Sequence, residues 1–131
     1  MHGGRWNSDG LAVVYLSSSL SLAALEYLVH VDIDDTPSDL VAMEVEVPQG
    51  VREERVLATE LPSDWNHVAD HPECVRRGDL WLREGRTALL RVPSAVVPIE
   101  TNVLLNPGHR DAGRVRMMTS EPFAFDRRLL E

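Results

Sequence analysis

The stretch GGRWNSDGLAVVYLSSSLSLAALEYLV, residues 3–29, decides the fold. It opens as a loop, because Gly, Asn, Ser and Asp dominate residues 3–10. Leu11–Leu16 (LAVVYL) then reads as a buried strand rich in β-branched residues. Serines at 17, 18 and 19 turn the chain, and Ser19 or Ser21 can cap a helix by accepting from a free first-turn N–H. SLAALEYLVHV, residues 21–31, continues as that helix, with Leu22, Leu25 and Val29 on one face. Glu26 is the one acid of this apolar run, so burial is expected. An unpaired buried carboxylate is costly, and a neighbouring Arg or a ligand would relieve that cost.

Outward from this segment, Asp32, Asp34, Asp35 and Pro37 form an acidic loop. VAMEVEV (41–47) alternates, which predicts a half-buried strand with Val41, Met43, Val45 and Val47 on one face. Val56–Leu61 reads as a further strand, and Pro62–Asp64 as the opening of a short helix around Trp65. His71–Arg83 reads as a helix with Cys74, Val75, Leu80 and Leu82 inward, stopped at Gly85. Strands follow at 87–92, 101–105 and 114–118, with an NPGH turn at 106–109. The order β-α-β-β-α-β-β-β predicts an α+β fold: one compact domain with a mixed β-sheet core.

The 131 residues suit one domain, and 44% hydrophobic content suffices for a core. A formal charge of −8 argues against direct nucleic-acid or anionic-membrane binding, though it leaves room for a local basic pocket. A single cysteine, Cys74, rules out an internal disulfide and fits a reducing, cytoplasmic setting. No apolar run approaches the roughly 18–20 residues of a membrane span, and no signal peptide is expected. His2, His30, His67, His71 and His109 are scattered without a metal-ligand pattern, so surface histidines and no metal are expected. Cys74 reads as a small core residue rather than a nucleophile.

GGRWN, VVYLSSSLSLAALEYLVH, VPSAVVPIETNVLLNPGH and FAFDRRL, in that order, resemble the RES domain over nearly the whole chain. That family is the toxin half of bacterial type II toxin–antitoxin pairs whose antitoxin is an Xre-like helix-turn-helix protein. The resemblance implies a fold related to ADP-ribosyltransferase toxins. It implies NAD as substrate rather than cofactor, with NAD depletion or ADP-ribose transfer to a specific protein as the activity. The Arg, Glu and Ser that name the family fall on Arg5, Glu26 and Ser94, and Tyr15 matches a further functional position. An Xre-like antitoxin and a homodimer are the implied partners. The family also implies a segment ahead of GGRWN, where only Met1 and His2 precede Gly3 here. Residues 1–131 are therefore expected to form a RES domain whose true start lies further upstream or which is a shortened variant, and an antitoxin-binding module of weak activity is a further reading.

NAD joins a pyrophosphate to a ribose whose bond to cationic nicotinamide breaks with oxocarbenium character, as in glycoside hydrolysis. Arg5 can bind phosphate oxygens bidentately, with Gly3 and Gly4 allowing close backbone approach; taken alone it is equally a surface Arg paired with an acid. Tyr15 can line the nicotinamide side, or simply end a core strand. Glu26 can stabilise the ribosyl cation, or be a solvated helix glutamate. Ser94 can bond phosphate or ribose, orient Glu26, or be a turn serine after Pro93; no partner base marks it as a nucleophile. Asn102 can bind substrate or cap a strand, and Trp6 and Asn7 can shape the pocket rim.

Overall fold

Two apolar strands late in the chain organise the molecule. In the computed structural model, which describes residues 3–131, β4 (Leu89–Pro93) and β5 (Thr101–Leu105) pair antiparallel at the centre of a four-stranded sheet. The first strand, β1 (Val14–Ser17), adds antiparallel to β5 on one edge, and β3 (Glu53–Arg55) adds parallel to β4 on the other. The sheet order β1-β5-β4-β3 is therefore mixed. A separate antiparallel ribbon joins β2 (Val41–Glu46) to β6 (Arg116–Pro122). With helices α1 (Leu20–Leu28) and α2 (Pro72–Glu84), the element order and the α+β class match the expectation. Met1 and His2, including the histidine expected at the surface, lie outside the described residues.

Strand alternation divides the core. Leu90, Val92 and Leu104 face one side and pack with Trp6, Trp65, Cys74 and Trp81. Leu89 and Val103 face the other, against Leu16, Val51 and Leu105. Each fully buried leucine of this kind stabilises the fold by about 1.5–3 kcal/mol. Helix α2 starts well: His71 Nδ1 accepts from Glu73 N–H at 3.2 Å, and Pro72 occupies the first turn. It stops at Gly85, whose φ of +61° suits a residue without a side chain. Its buried residues are Cys74, Gly78, Asp79 and Trp81. Leu80, expected inward, is exposed, because Gly78 and Trp81 occupy the face toward the sheet. Cys74 is a free, buried thiol, as expected.

Other expectations need correction. Helix α1 is capped by Ser19, whose Oγ accepts from Leu22 N–H at 3.1 Å, and it ends at Leu28 rather than at Val31. Of its expected apolar face only Leu22 is buried; Leu25 and Val29 are 40% and 57% exposed. β1 begins at Val14, not Leu11, because a turn bond from Leu11 N–H to Ser8 O ends the preceding loop. Val56–Leu61 is not a strand. Pairing beside β4 falls to Glu53–Arg55, an edge strand whose Glu53 meets Arg91 at 2.7 Å and Glu54 meets Arg86 at 3.0 Å. Charged side chains are normal at a sheet edge. Residues around Trp65 form turns, not a helix. In β2 the expected single apolar face is broken by a bulge between Glu44 and Val45, and Val41 and Met43 stay exposed in a ribbon of only two strands. His71 and His109 carry largely buried side chains rather than surface ones, the Nδ1 of each accepting a backbone N–H.

Gly78 is where α2 meets the N-terminal loop. A Cβ there would lie 1.6 Å from the Trp6 carbonyl oxygen. Gly78→Ala is expected to cost about 1–3 kcal/mol of unfolding free energy, the range for overpacking, measured by urea denaturation. Gly113→Ala, whose Cβ would meet nothing within 4 Å, should leave the urea midpoint unmoved.

Candidate active site

The GGRWN segment is a tight, pinned loop. Gly4 N–H donates to Asn7 Oδ1 at 3.0 Å, and Gly4 and Asn7 also form a backbone bridge. A Cβ on Gly3 would come within 2.5 Å of Asn7 O, and one on Gly4 within 2.6 Å of Tyr15 Oη. Both glycines are thus set by close approach rather than by φ. Trp6 is buried in the core, its ring 6.3 Å from that of Trp65. Buried Asp79 of α2 reaches back to accept from Ser8 N–H at 2.9 Å and from the Ser8 hydroxyl. The loop has nowhere to move without breaking these bonds.

Arg5 leaves this loop toward residues 62–70. Its Nη1 donates to the carbonyls of Trp65 at 3.2 Å and Val68 at 2.7 Å. No ion pair to a carboxylate forms at Arg5 among the described residues, so its charge is not neutralised by an acid. Tyr15 accepts from Trp6 N–H at 3.2 Å and donates to Asn7 Oδ1. Its hydroxyl end is enclosed while 44% of the residue remains exposed.

Glu26, half-buried on α1, points to the end of the sheet. Oε2 accepts from Asn102 Nδ2 at 2.8 Å and Oε1 from the Ser94 hydroxyl at 3.2 Å. The neighbouring Arg anticipated for it is absent among the described residues: its partners are neutral donors. Ser94 is fully buried and lies behind the carboxylate. Ser17 donates to Asn102 Oδ1 at 2.8 Å, one step further from Glu26.

Arg5, Tyr15, Glu26 and Asn102 all line one cavity of about 1290 Å³; Ser94 does not reach its wall. The β2–β6 ribbon supplies an apolar stretch of the same wall through Met43, Val45 and Met117. The volume exceeds the ~300–1,000 Å³ common for small-ligand sites. The cavity is thus lined by a guanidinium that no carboxylate neutralises among the described residues and by a carboxylate whose described side-chain partners are uncharged. Asn7 was expected at the pocket rim and instead supports Gly4 and Tyr15, whereas Ser17, Gly78 and Asp79 were not singled out from sequence; no local pattern connects Asp79 to Ser8 across 71 positions. Among the described residues no group of three or more His, Cys, Asp or Glu is placed to hold a metal, and no helix is long and apolar enough to cross a membrane.

Burial pushes the Tyr15 phenol up from 10.0 to about 12, reinforced by the Asp79 charge and opposed by the Trp6 N–H and by Arg5. The folded state therefore favours the neutral phenol. Its contribution to stability is complete below pH 10.0 and is lost as pH rises toward about 12. Ultraviolet titration should show a tyrosinate transition near that upper value, absent from Tyr15→Phe; an unchanged titration curve in the variant would contradict the assignment.

The RES domain model matches residues 1–126 of this chain. The "Prs ADP-ribosylating toxin" of Sphingobium sp. (strain YBL2) is 39% identical over 130 residues, covering 98% of this chain and 81% of that protein. "Toxin Res" of Photorhabdus laumondii is 36% identical over 132 residues, covering 100% and 84%. "Toxin Res" of Yersinia enterocolitica is 38% identical over 134 residues, covering 98% and 84%. With the family matched from end to end of the fold, and relatives this similar along most of their own length, the chain belongs to the RES domain family.

Proposed function

We propose that this chain is the toxin of a bacterial toxin–antitoxin pair and that it cleaves NAD at the nicotinamide–ribose bond, depleting the cell of NAD. The observation that carries the reading is that Arg5 and Glu26, 21 positions apart in sequence by their numbers, open on the same cavity. The names of the relatives, toxins in every case given and an ADP-ribosylating one in the first, support it.

In this reading the Arg5 guanidinium holds the pyrophosphate. Its bonds to the Trp65 and Val68 carbonyls fix the group in place beforehand, so little ordering remains to be done on binding. Tyr15 presents its exposed ring to the nicotinamide side. As the C1′–N bond breaks, the electron pair leaves with nicotinamide and neutralises its ring, and positive charge builds on the ribose. Glu26 faces that charge with a carboxylate whose only described side-chain partners are the neutral donors Ser94 and Asn102. Such a preorganised anion stabilises the transition state more than the ground state. An acceptor nucleophile, water or inorganic phosphate, then bonds to C1′ and gives up its proton if it carries one. NAD enters as substrate and no resident cofactor is needed.

A cytoplasmic site of action follows from the substrate. The partners in this reading are an Xre-like helix-turn-helix antitoxin that obstructs the cavity or its entrance and carries the DNA binding, and a second copy of the chain in the assembled complex. The name of the Sphingobium relative, an ADP-ribosylating toxin, favours a second chemistry at the same site, in which a protein side chain is the acceptor. With adenine-labelled NAD, label retained on protein marks transfer, and label in free ADP-ribose or its phosphate marks depletion.

Glu26→Gln keeps the size of the side chain and removes its charge. It is expected to lower the NAD-cleavage rate by about 10²–10³-fold, as for loss of one preorganised electrostatic group. A variant as active as the parent would overturn the reading.

A further inference from the structure

The two donors on Glu26 differ in how firmly they are set. The Ser94 oxygen accepts from the backbone N–H of Val96 at 3.1 Å and of Val97 at 3.0 Å. A hydroxyl has one proton and two lone pairs, so the proton of Ser94 has a single remaining direction, toward Glu26 Oε1. The backbone fixes that donor. Asn102 has no such constraint of its own. Its carboxamide carries an acceptor and a donor end of nearly equal size, and half a turn about its last bond exchanges them. Turned that way, Oδ1 would face a Glu26 oxygen, acceptor against acceptor, and the carboxylate would lose one of two partners.

Ser17 lies on the far side of that amide. It is the last residue of β1 and pairs directly with Asn102 of β5 in antiparallel register, so both side chains leave the sheet on one face. Its Oγ donates to Asn102 Oδ1 at 2.8 Å, while Asn102 Nδ2 donates to Glu26 Oε2 at 2.8 Å. Asn102 is buried, so water competes poorly for either end. Donors aligned in one direction polarise each other, which strengthens the bond that reaches the carboxylate. The neighbouring serines serve other ends: Ser19 caps α1, and Ser18 N–H bonds Thr101 O at 3.3 Å.

We propose that Ser17 is a positioning residue for the reaction, its hydroxyl anchoring the Asn102 carboxamide by its oxygen while the acceptor-only carboxylate of Glu26 takes the amide N–H₂. It acts on the carboxylate only through Asn102. The inference rests on the reading of Glu26 as the group that faces the ribosyl cation.

The test is a double-mutant cycle in the purified chain, following NAD cleavage, with Glu26→Gln assayed alongside. Ser17→Ala should lower kcat by about 3- to 10-fold, the worth of one neutral hydrogen bond, with KM for NAD within about twofold. Ser17→Thr, which keeps a hydroxyl on a strand-compatible side chain, should recover most of that loss. In an Asn102→Ala background, adding Ser17→Ala should change kcat by less than about twofold, because the latch then has nothing to hold. Losses that multiply in the double variant would overturn the proposal, as would an effect confined to KM, which would make Ser17 a substrate contact. If Glu26→Gln is inactive and Ser17→Ala is as active as the parent, the latch is wrong and the Glu26 reading stands. If Glu26→Gln keeps full activity, both fall.

Discussion

A carboxylate held by two uncharged donors at the rim of a large cavity is the constraint around which this molecule is arranged. An Arg beside Glu26 would satisfy the carboxylate and also cancel its field. Ser94 and Asn102 satisfy it while leaving the charge intact. Bringing the three groups together takes the residue that follows β4, the start of the central strand β5 and the second turn of α1. The short β1–α1 connection, closed by the Ser19 cap, swings Glu26 over the strand ends where Ser94 and Asn102 lie. Hydrogen bonds to an ionised group are worth about 1.5–3 kcal/mol each, so the arrangement also ties α1, which buries little apolar surface, to the sheet.

Arg5 and Tyr15, which line the same cavity, are held by different means. The GGRWN loop is packed against α2 at Gly78 and bonded to Asp79, and Trp6 is sunk in the core. Tyr15 bridges loop and sheet through its hydroxyl. Glu26 is therefore tied to the sheet, and the loop that carries Arg5 is pinned to α2 and to Tyr15 of β1. Catalysis by electrostatic preorganisation requires such fixed geometry, since a group that must reorient during the reaction returns part of its benefit. The β2–β6 ribbon, with its bulge and exposed methionines, is by contrast the part of the cavity wall with least support from the core.

Much of this was legible in the sequence where side-chain pattern and local structure agree. β5, rich in apolar and β-branched residues, fell where expected at 101–105, and α2 within one residue at each end. The Arg5–Tyr15–Glu26 grouping was visible as a loop–strand–helix unit. The errors share a cause. β3 is Glu-Glu-Arg, and its strand character comes wholly from pairing with β4, which no local window contains. The alternation in β2 was real, but a bulge and the lack of a third strand left Val41 and Met43 in the open. For Glu26 the sequence pointed to an Arg or a ligand, and to Ser94 as a residue that could orient it; the Ser94 bond is present 68 positions away, whereas the Asn102 donor, 76 positions away, had no local signal. The need for Gly at 78 comes from the Trp6 carbonyl, 72 positions away, which no local window contains.

The central claim is that one dinucleotide spans the distance from Arg5 to Glu26. A crystal structure of the chain with NAD bound, using a charge-neutral residue at position 26 to keep the substrate whole, tests it directly. The expected density places pyrophosphate oxygens on the Arg5 guanidinium and the nicotinamide ribose beside the side chain at 26. NAD lodged elsewhere, or reaching only one of these two groups, would contradict it.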